Sequence, residues 1–165
     1  MGRRILFFFE VLILLTLFVF FGSLAATTLQ NDRIVDITED FVEVVRYKGC
    51  ITQSMYEDLL KAYPTPVEVN FEVEKAPALV SNDAPASMQF TAEVVDGIYG
   101  SGRIFTMQTG DSIEVVVRKA GPTWFDSMVS AMTASGTDEK PIIAVKGGMI
   151  LNEQYHDPTA GGVHP

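Results

Sequence analysis

Cysteine is almost missing from this sequence: Cys50 is the only one in 165 residues, so no intramolecular disulfide can form and the fold must rest on a hydrophobic core. A small buried hydrophobe is the expected role of Cys50. Histidine is nearly as scarce. His156 and His164 both fall near the C-terminus, with Asp157 beside the first. Two weak ligands on a polar tail do not make a zinc site, and a Ser/His/Asp or Cys/His enzyme would need its base held rigidly. No catalytic, cofactor-binding or metal residue is therefore expected. Basic charge is short as well: 12 Lys and Arg stand against 21 Asp and Glu, for a formal charge of −9. Beyond Gln30 the imbalance is 20 acidic against 10 basic residues. Such a surface repels phosphate, so a nucleic-acid partner is disfavoured. Gly100-Ser101-Gly102 lacks the lysine and preceding strand of a phosphate loop. Paired carboxylates without a cleft carry no glycosidase signal. Internal repeats and low-complexity tracts are absent.

What the chain does have is one long apolar run. From Ile5 to Ala26 the only strongly polar side chain is Glu10. As a helix these residues span roughly 33 Å, enough for a bilayer core. Sixteen of them are Leu, Ile, Phe or Val, worth on the order of −5 to −10 kcal/mol on an insertion scale, against about +3 for one badly placed charge. Arg3 and Arg4 precede the run, and Asp32, Asp36, Glu39 and Asp40 follow it. That asymmetry predicts a cytoplasmic N-terminus and a domain outside the cell membrane. Ser23-Leu24-Ala25 also offers the small residues that a signal peptidase reads. The apolar stretch from Ile5 to Phe21 is longer than the ~7 to 15 residues of a signal core, so a retained anchor is the expectation. Glu10 lies about 9 Å along the axis past Arg4, close enough to reach the inner interface or to stay protonated. Its sharper reading is a partner-binding carboxylate, satisfied by a donor or cation on a neighbouring helix.

Past the run, the pattern predicts a small α+β domain. Asn31 or Asp32 is placed to cap a helix with Ile34, Ile37, Phe41, Val44 and Val45 at helical spacing, stopped by Gly49. Whether it continues the membrane helix or breaks near Gly22 or Thr27-Thr28 is open at this level. Ser54 and Glu57 form a capping box for a helix from Met55 to Ala62, ended by Pro64. Val67 to Glu74 alternates Val, Val, Phe and Val with Glu, Asn, Glu and Glu, a half-buried strand with an acidic outer face. That face is expected to be solvated rather than a calcium or peptide site. Lys75 to Ala86 reads as a loop, and Thr91 as the cap of a helix to Tyr99. Ile104 to Met107 and Ile113 to Arg118 read as strands joined in a hairpin by Gln108-Thr109-Gly110-Asp111. Thr123 is placed to cap a helix carrying Trp124, Phe125, Met128 and Met132, a stripe expected to pack as core. Ile142 to Val145 reads as the last strand, followed by Gly147-Gly148 and a flexible tail.

The order of parts, a basic start, an apolar helix with a carboxylate, an amphipathic extension and a small sheet, resembles type IV pilins and pseudopilins. Three stretches are more specific: Asn31 to Leu60, Gly110 to Thr123 and Lys146 to Ile150. Together they resemble a family of uncharacterised membrane proteins of Gram-positive Firmicutes, similar in setting to minor pilins of tight-adherence (Flp-type) pilus systems. The resemblance covers roughly Asn31 to Glu153. It implies a pilin-like subunit whose apolar helix packs beside others in a pilus or secretion apparatus, with Glu10 bonded to a neighbour. The chain departs from the pilin pattern at Ile5, which stands where a prepilin peptidase reads a small residue.

The resulting expectation divides the chain into a cytoplasmic N-terminus (residues 1–4), a transmembrane helix (5–26), an extracytoplasmic α+β domain (27–153) and a tail (154–165). Its partners are the lipid bilayer and other pilus or secretion-system membrane subunits. The alternative is a membrane-tethered binding module taking a peptide, metal or envelope polymer on its acidic sheet. The intact mass of protein extracted from membranes is expected to include Met1 to Ala25; a mature chain beginning at Ala26 would remove the anchor.

Overall fold

The computed structural model describes residues 2–76, 87–100, 103–121, 127, 130 and 140–152. α1 (Gly2–Lys48) is one uninterrupted helix of 47 residues, about 70 Å long. Gly22 lowers helix stability by only about 1 kcal/mol relative to alanine, too little to interrupt a run of Leu, Ile and Phe. The hydroxyls of Thr27 and Thr28 donate to the carbonyls of Ser23 and Leu24 at 3.0 and 3.1 Å, so they bond within the helix rather than end it. The apolar stretch and the amphipathic stretch are thus continuous, and no cap forms at Asn31 or Asp32. The stop at Gly49 is as expected. Its φ of +65° suits glycine, its N–H bonds Val45 O at 2.8 Å, and a Cβ there would collide with the carbonyl of Asn152.

Two antiparallel sheets follow. β1 (Cys50–Thr52) pairs with β4 (Ile104–Thr106). β2 (Val67–Lys75), β3 (Ser87–Phe90), β5 (Ser112–Lys119) and β6 (Ile142–Met149) form a four-stranded sheet in the order β3-β2-β5-β6. α2 (Gln53–Ala62) and α3 (Thr91–Tyr99) complete the domain. The α+β class holds, as a long apolar N-terminal helix with two small antiparallel sheets.

The core lies between α1 and the inner face of the larger sheet. Ile34, Thr38, Phe41, Val42 and Val45 of α1 are buried together with Val69, Phe71 and Val73 of β2 and Ile113, Val115 and Val117 of β5. Phe71 sits at the centre, its ring 6.2 Å from that of Phe41 and 5.8 Å from that of Tyr56. The alternation read in β2 and β5 is the alternation observed. On α1 the buried stripe is shifted: Val42 is buried, and Val44 is 43% exposed. Thr38 belongs to the core because its hydroxyl is satisfied there, donating to Ile34 O at 2.6 Å and accepting from the Tyr63 hydroxyl at 3.1 Å.

Several local expectations are corrected. The cap of α2 is Thr52, whose Oγ1 accepts from Met55 N at 3.2 Å. Thr52 ends β1 and caps the helix in one step, leaving Ser54 to bond Thr52 and Glu57 to bond Gln53. Thr91 is the first residue of α3 rather than its cap: its Oγ1 accepts from Phe71 N at 2.8 Å and donates to Phe71 O at 3.3 Å, docking the helix onto β2. Glu93 bonds Phe90 N instead. Gly147 and Gly148 lie inside β6, where Gly147 lets the backbone of Ile113 come close and Gly148 makes room for the Arg46 side chain. β1 and β3, only three and four residues long, are too short to show a strand period in the sequence. Residues 77–86, 101–102, Thr123 to Phe125, Met128, Met132 and the tail lie outside the described residues.

The largest correction is that β4 and β5 form no hairpin. β4 pairs with β1, and β5 pairs with β2 and β6. Asp111 diverts the chain. Its buried carboxylate accepts from Gln108 N at 2.9 Å and Ala76 N at 2.8 Å and pairs with Lys75 Nζ at 3.1 Å. Lys75 in turn donates to Thr106 O and lies over the Phe105 ring. Burial opposes the charge of Asp111, but the two N–H donors and the ammonium outweigh it and hold the carboxyl below its ordinary value. A group so depressed stabilises the fold above its unfolded pKa of about 3.9 and loses that stabilisation as pH falls through the folded value. Asp111→Ala is expected to cost roughly 2 to 4 kcal/mol of stability. In urea titrations of the detergent-solubilised chain, the gap between wild type and Asp111→Asn should close as pH falls below about 4.

Candidate functional site

The feature that stands out is the half of α1 that touches nothing. Among the described residues, the helix is long and apolar enough to cross a membrane, and no residue of its apolar window is buried inside the protein. Phe18 is 79% exposed, and Leu6, Phe7, Phe8, Leu14 and Leu29 are each above 60%. A patch of this extent is far beyond what a soluble monomer exposes. Its length and position fit a single-pass anchor or a signal sequence.

The threonine hydroxyls on this half are satisfied within the helix. Thr16 Oγ1 donates to Leu12 O at 2.8 Å, as Thr27 and Thr28 do one turn back from themselves. Glu10 is exposed among the phenylalanines and leucines, with no partner among the described residues. It shares the apolar half of α1 with Phe7, Phe9, Leu14 and Leu17, all exposed. Arg3 and Arg4 lie in the first turns of the same helix.

The globular half offers little chemistry. Among the described residues no three His, Cys, Asp or Glu gather to hold a metal ion. His156 and His164 lie outside the described residues. Cys50 is buried; burial pushes its thiol pKa up, with Lys48 opposing only in part. It is therefore poorly nucleophilic. The acidic side of β2 faces outward, as expected. Glu68 pairs with Lys140 at 2.6 Å, which holds its carboxyl below the ordinary value, and Glu72 stands directly opposite Glu114 of β5.

Ties between α1 and the sheet escaped the sequence. Lys146 of β6 pairs with Glu39, and Arg46 pairs with Glu43 while its Nε donates to Met149 O at 3.0 Å. Partners more than a hundred residues apart leave no local pattern. Comparison with known proteins finds no match: no family model fits the chain, and neither a curated protein nor a solved structure is similar to it.

Because Cys50 is sealed in the core, maleimide labelling of the folded chain in detergent should be negligible and should appear only with unfolding. Rapid labelling under native conditions would contradict its placement.

Proposed function

We propose that the chain is a pilin-like subunit, held in the cell membrane by a retained α1 with its N-terminus in the cytoplasm and its domain outside. It acts by packing α1 beside other such helices in a pilus or type II-like secretion apparatus, by contact rather than catalysis. The observation that carries this reading is the uninterrupted α1, half naked and apolar, half plugged into an antiparallel sheet. Retention is supported by the placement of Ser23, Leu24 and Ala25 inside that helix, which a peptidase would have to unwind. Arg3 and Arg4 favour the stated orientation. Glu10, in lipid, would gain from a donor on a neighbouring helix. The departure at Ile5 sets the chain apart from subunits that are processed before assembly.

A second reading, a tethered binding module, draws on Glu72 facing Glu114, since like charges directly opposite are relieved by a cationic ligand. Saturable binding of calcium or a cationic peptide to the solubilised chain, lost in Glu72→Gln, would favour it.

Photo-crosslinkers at Leu12 and Leu17 in native membranes test the first. Wild-type chain is expected to capture another single-pass subunit, and Glu10→Leu to reduce capture roughly five- to thirty-fold, the worth of about 1–2 kcal/mol for a polar contact in lipid. Adducts with lipid alone would overturn the assembly reading.

A further inference from the structure

α1 has two long sides, and the domain uses one of them. At about 100° per residue, the buried Ile34, Thr38, Phe41 and Val45 mark the side against the sheet. β6 runs beside α1 in the same direction, with Lys146 meeting Glu39 and Met149 meeting Arg46, so the flank towards β6 is engaged as well. Half a turn from the buried stripe runs a second one: Phe18, Gly22, Ala25, Leu29, Asp32 and Asp36. Its alternating steps of four and three residues are those by which one helix packs along another. All six are exposed, and a Cβ added at Gly22 would meet nothing within 4 Å among the described residues. Small residues at Gly22 and Ala25 let a second backbone come close inside a bilayer.

Past the apolar run this side turns acidic, and its acids are unpaired. The run ends at Ala26; Asp32, Asp36 and Asp40 follow about 9, 15 and 21 Å farther along the axis. The acids on the flank towards β6 have partners, Glu39 in Lys146 and Glu43 in Arg46. Asp32, Asp36 and Asp40 have no ion pair among the described residues. Arg33 is the only lysine or arginine on this side of α1 between Leu29 and Tyr47. Every lysine and arginine beyond Arg4 is a described residue, so the undescribed stretches hold none that could pair with the three aspartates. Exposed apolar side chains bracket them, Leu29 below and Tyr47 above.

A second copy does not suit this side. Copies in one membrane run parallel, so an in-register neighbour would set each aspartate against its own equivalent, and like charges brought face to face repel. Sliding the copy by one turn only exchanges one aspartate for the next, since they recur every four residues. Sliding it by three turns carries aspartates level with the apolar run, where charge is costly. We propose that the outward side of α1 seats a helix of a different membrane protein, one that carries lysine or arginine over its first turns outside the bilayer, opposite Asp32, Asp36 and Asp40. The proposal rests on the chain being an assembly subunit and names the chemistry of its neighbour. That chemistry is selective, because membrane helices ordinarily keep Lys and Arg on the cytoplasmic side.

The test places a benzoylphenylalanine at Leu29 of the full-length chain in native membranes and sequences the crosslinked peptide. The expected adduct joins a different protein, at a peptide that carries Lys or Arg within about three turns outside its apolar span. Asp32→Asn, Asp36→Asn and Asp40→Asn together should lower capture roughly three- to thirty-fold, the worth of three exposed ion pairs, and added salt should lower it in the wild type. Asp58→Asn, Glu74→Gln and Asp96→Asn together remove as much charge from exposed positions on α2, β2 and α3, and should leave capture unchanged. A crosslink from Leu29 to a second copy, a captured peptide without such cations, capture indifferent to the loss of Asp32, Asp36 and Asp40, or capture lowered equally by both triple variants overturns the proposal. Lipid adducts alone at Leu29, with protein adducts at Leu12 and Leu17, overturn it too and leave the assembly reading standing. Lipid adducts alone at all three positions overturn that reading and the proposal together.

Discussion

A single helix has to satisfy two surroundings, and the rest of the molecule follows from how it does so. Over its first half α1 is apolar on every side, so no orientation in water can hide it. Over its second half it is apolar along one stripe, and that stripe closes the domain: Ile34, Phe41 and Val45 reach the inner face of the sheet around Phe71. Without α1 the sheet would lose the layer that covers β5 and β6, and Phe71 of β2 would keep only Tyr56 of α2 and the α3 contact beside it. The domain is therefore no separate globule attached to an apolar helix, because that helix's own continuation is a structural layer of it.

Charged groups then fix the sheet against the helix and its turns against each other. Lys146 with Glu39 and Arg46 with Met149 lock the slide between α1 and β6. Asp111 closes the far end, joining the last residues of β2 to the turn before β5. A buried carboxylate with two backbone donors and an ammonium has few ways to rearrange. The two small sheets consequently meet at one corner instead of merging through a hairpin.

The elements legible in the sequence were those with a strong internal period. The alternation through Val69, Phe71 and Val73 could only be a half-buried strand, and the apolar run could only be a helix of membrane length. Gly49 announced its own turn. What could not be read was set by contacts between distant residues. The turn at Gln108 to Asp111 has hairpin composition, yet its course is decided by Ala76 and Lys75, some 35 residues earlier. Thr52 and Thr91 each serve two elements at once, which a scan for caps treats as one role. Of the candidate site, the apolar character, Glu10 and the flanking arginines were all visible; the unbroken passage from span to domain was not, because Gly22 and two threonines mimic a break.

The shared direction of α1 and β6 also decides where the chain departs. Asn152 leaves the sheet against Gly49, about 65 Å along the helix axis from Leu6. Sequence beyond that point therefore starts its path at the pole farthest from the apolar half of α1. A reporter or affinity handle joined there begins at the opposite extremity of the molecule from the side chains that lipid would cover, and so burdens neither the span nor its neighbours.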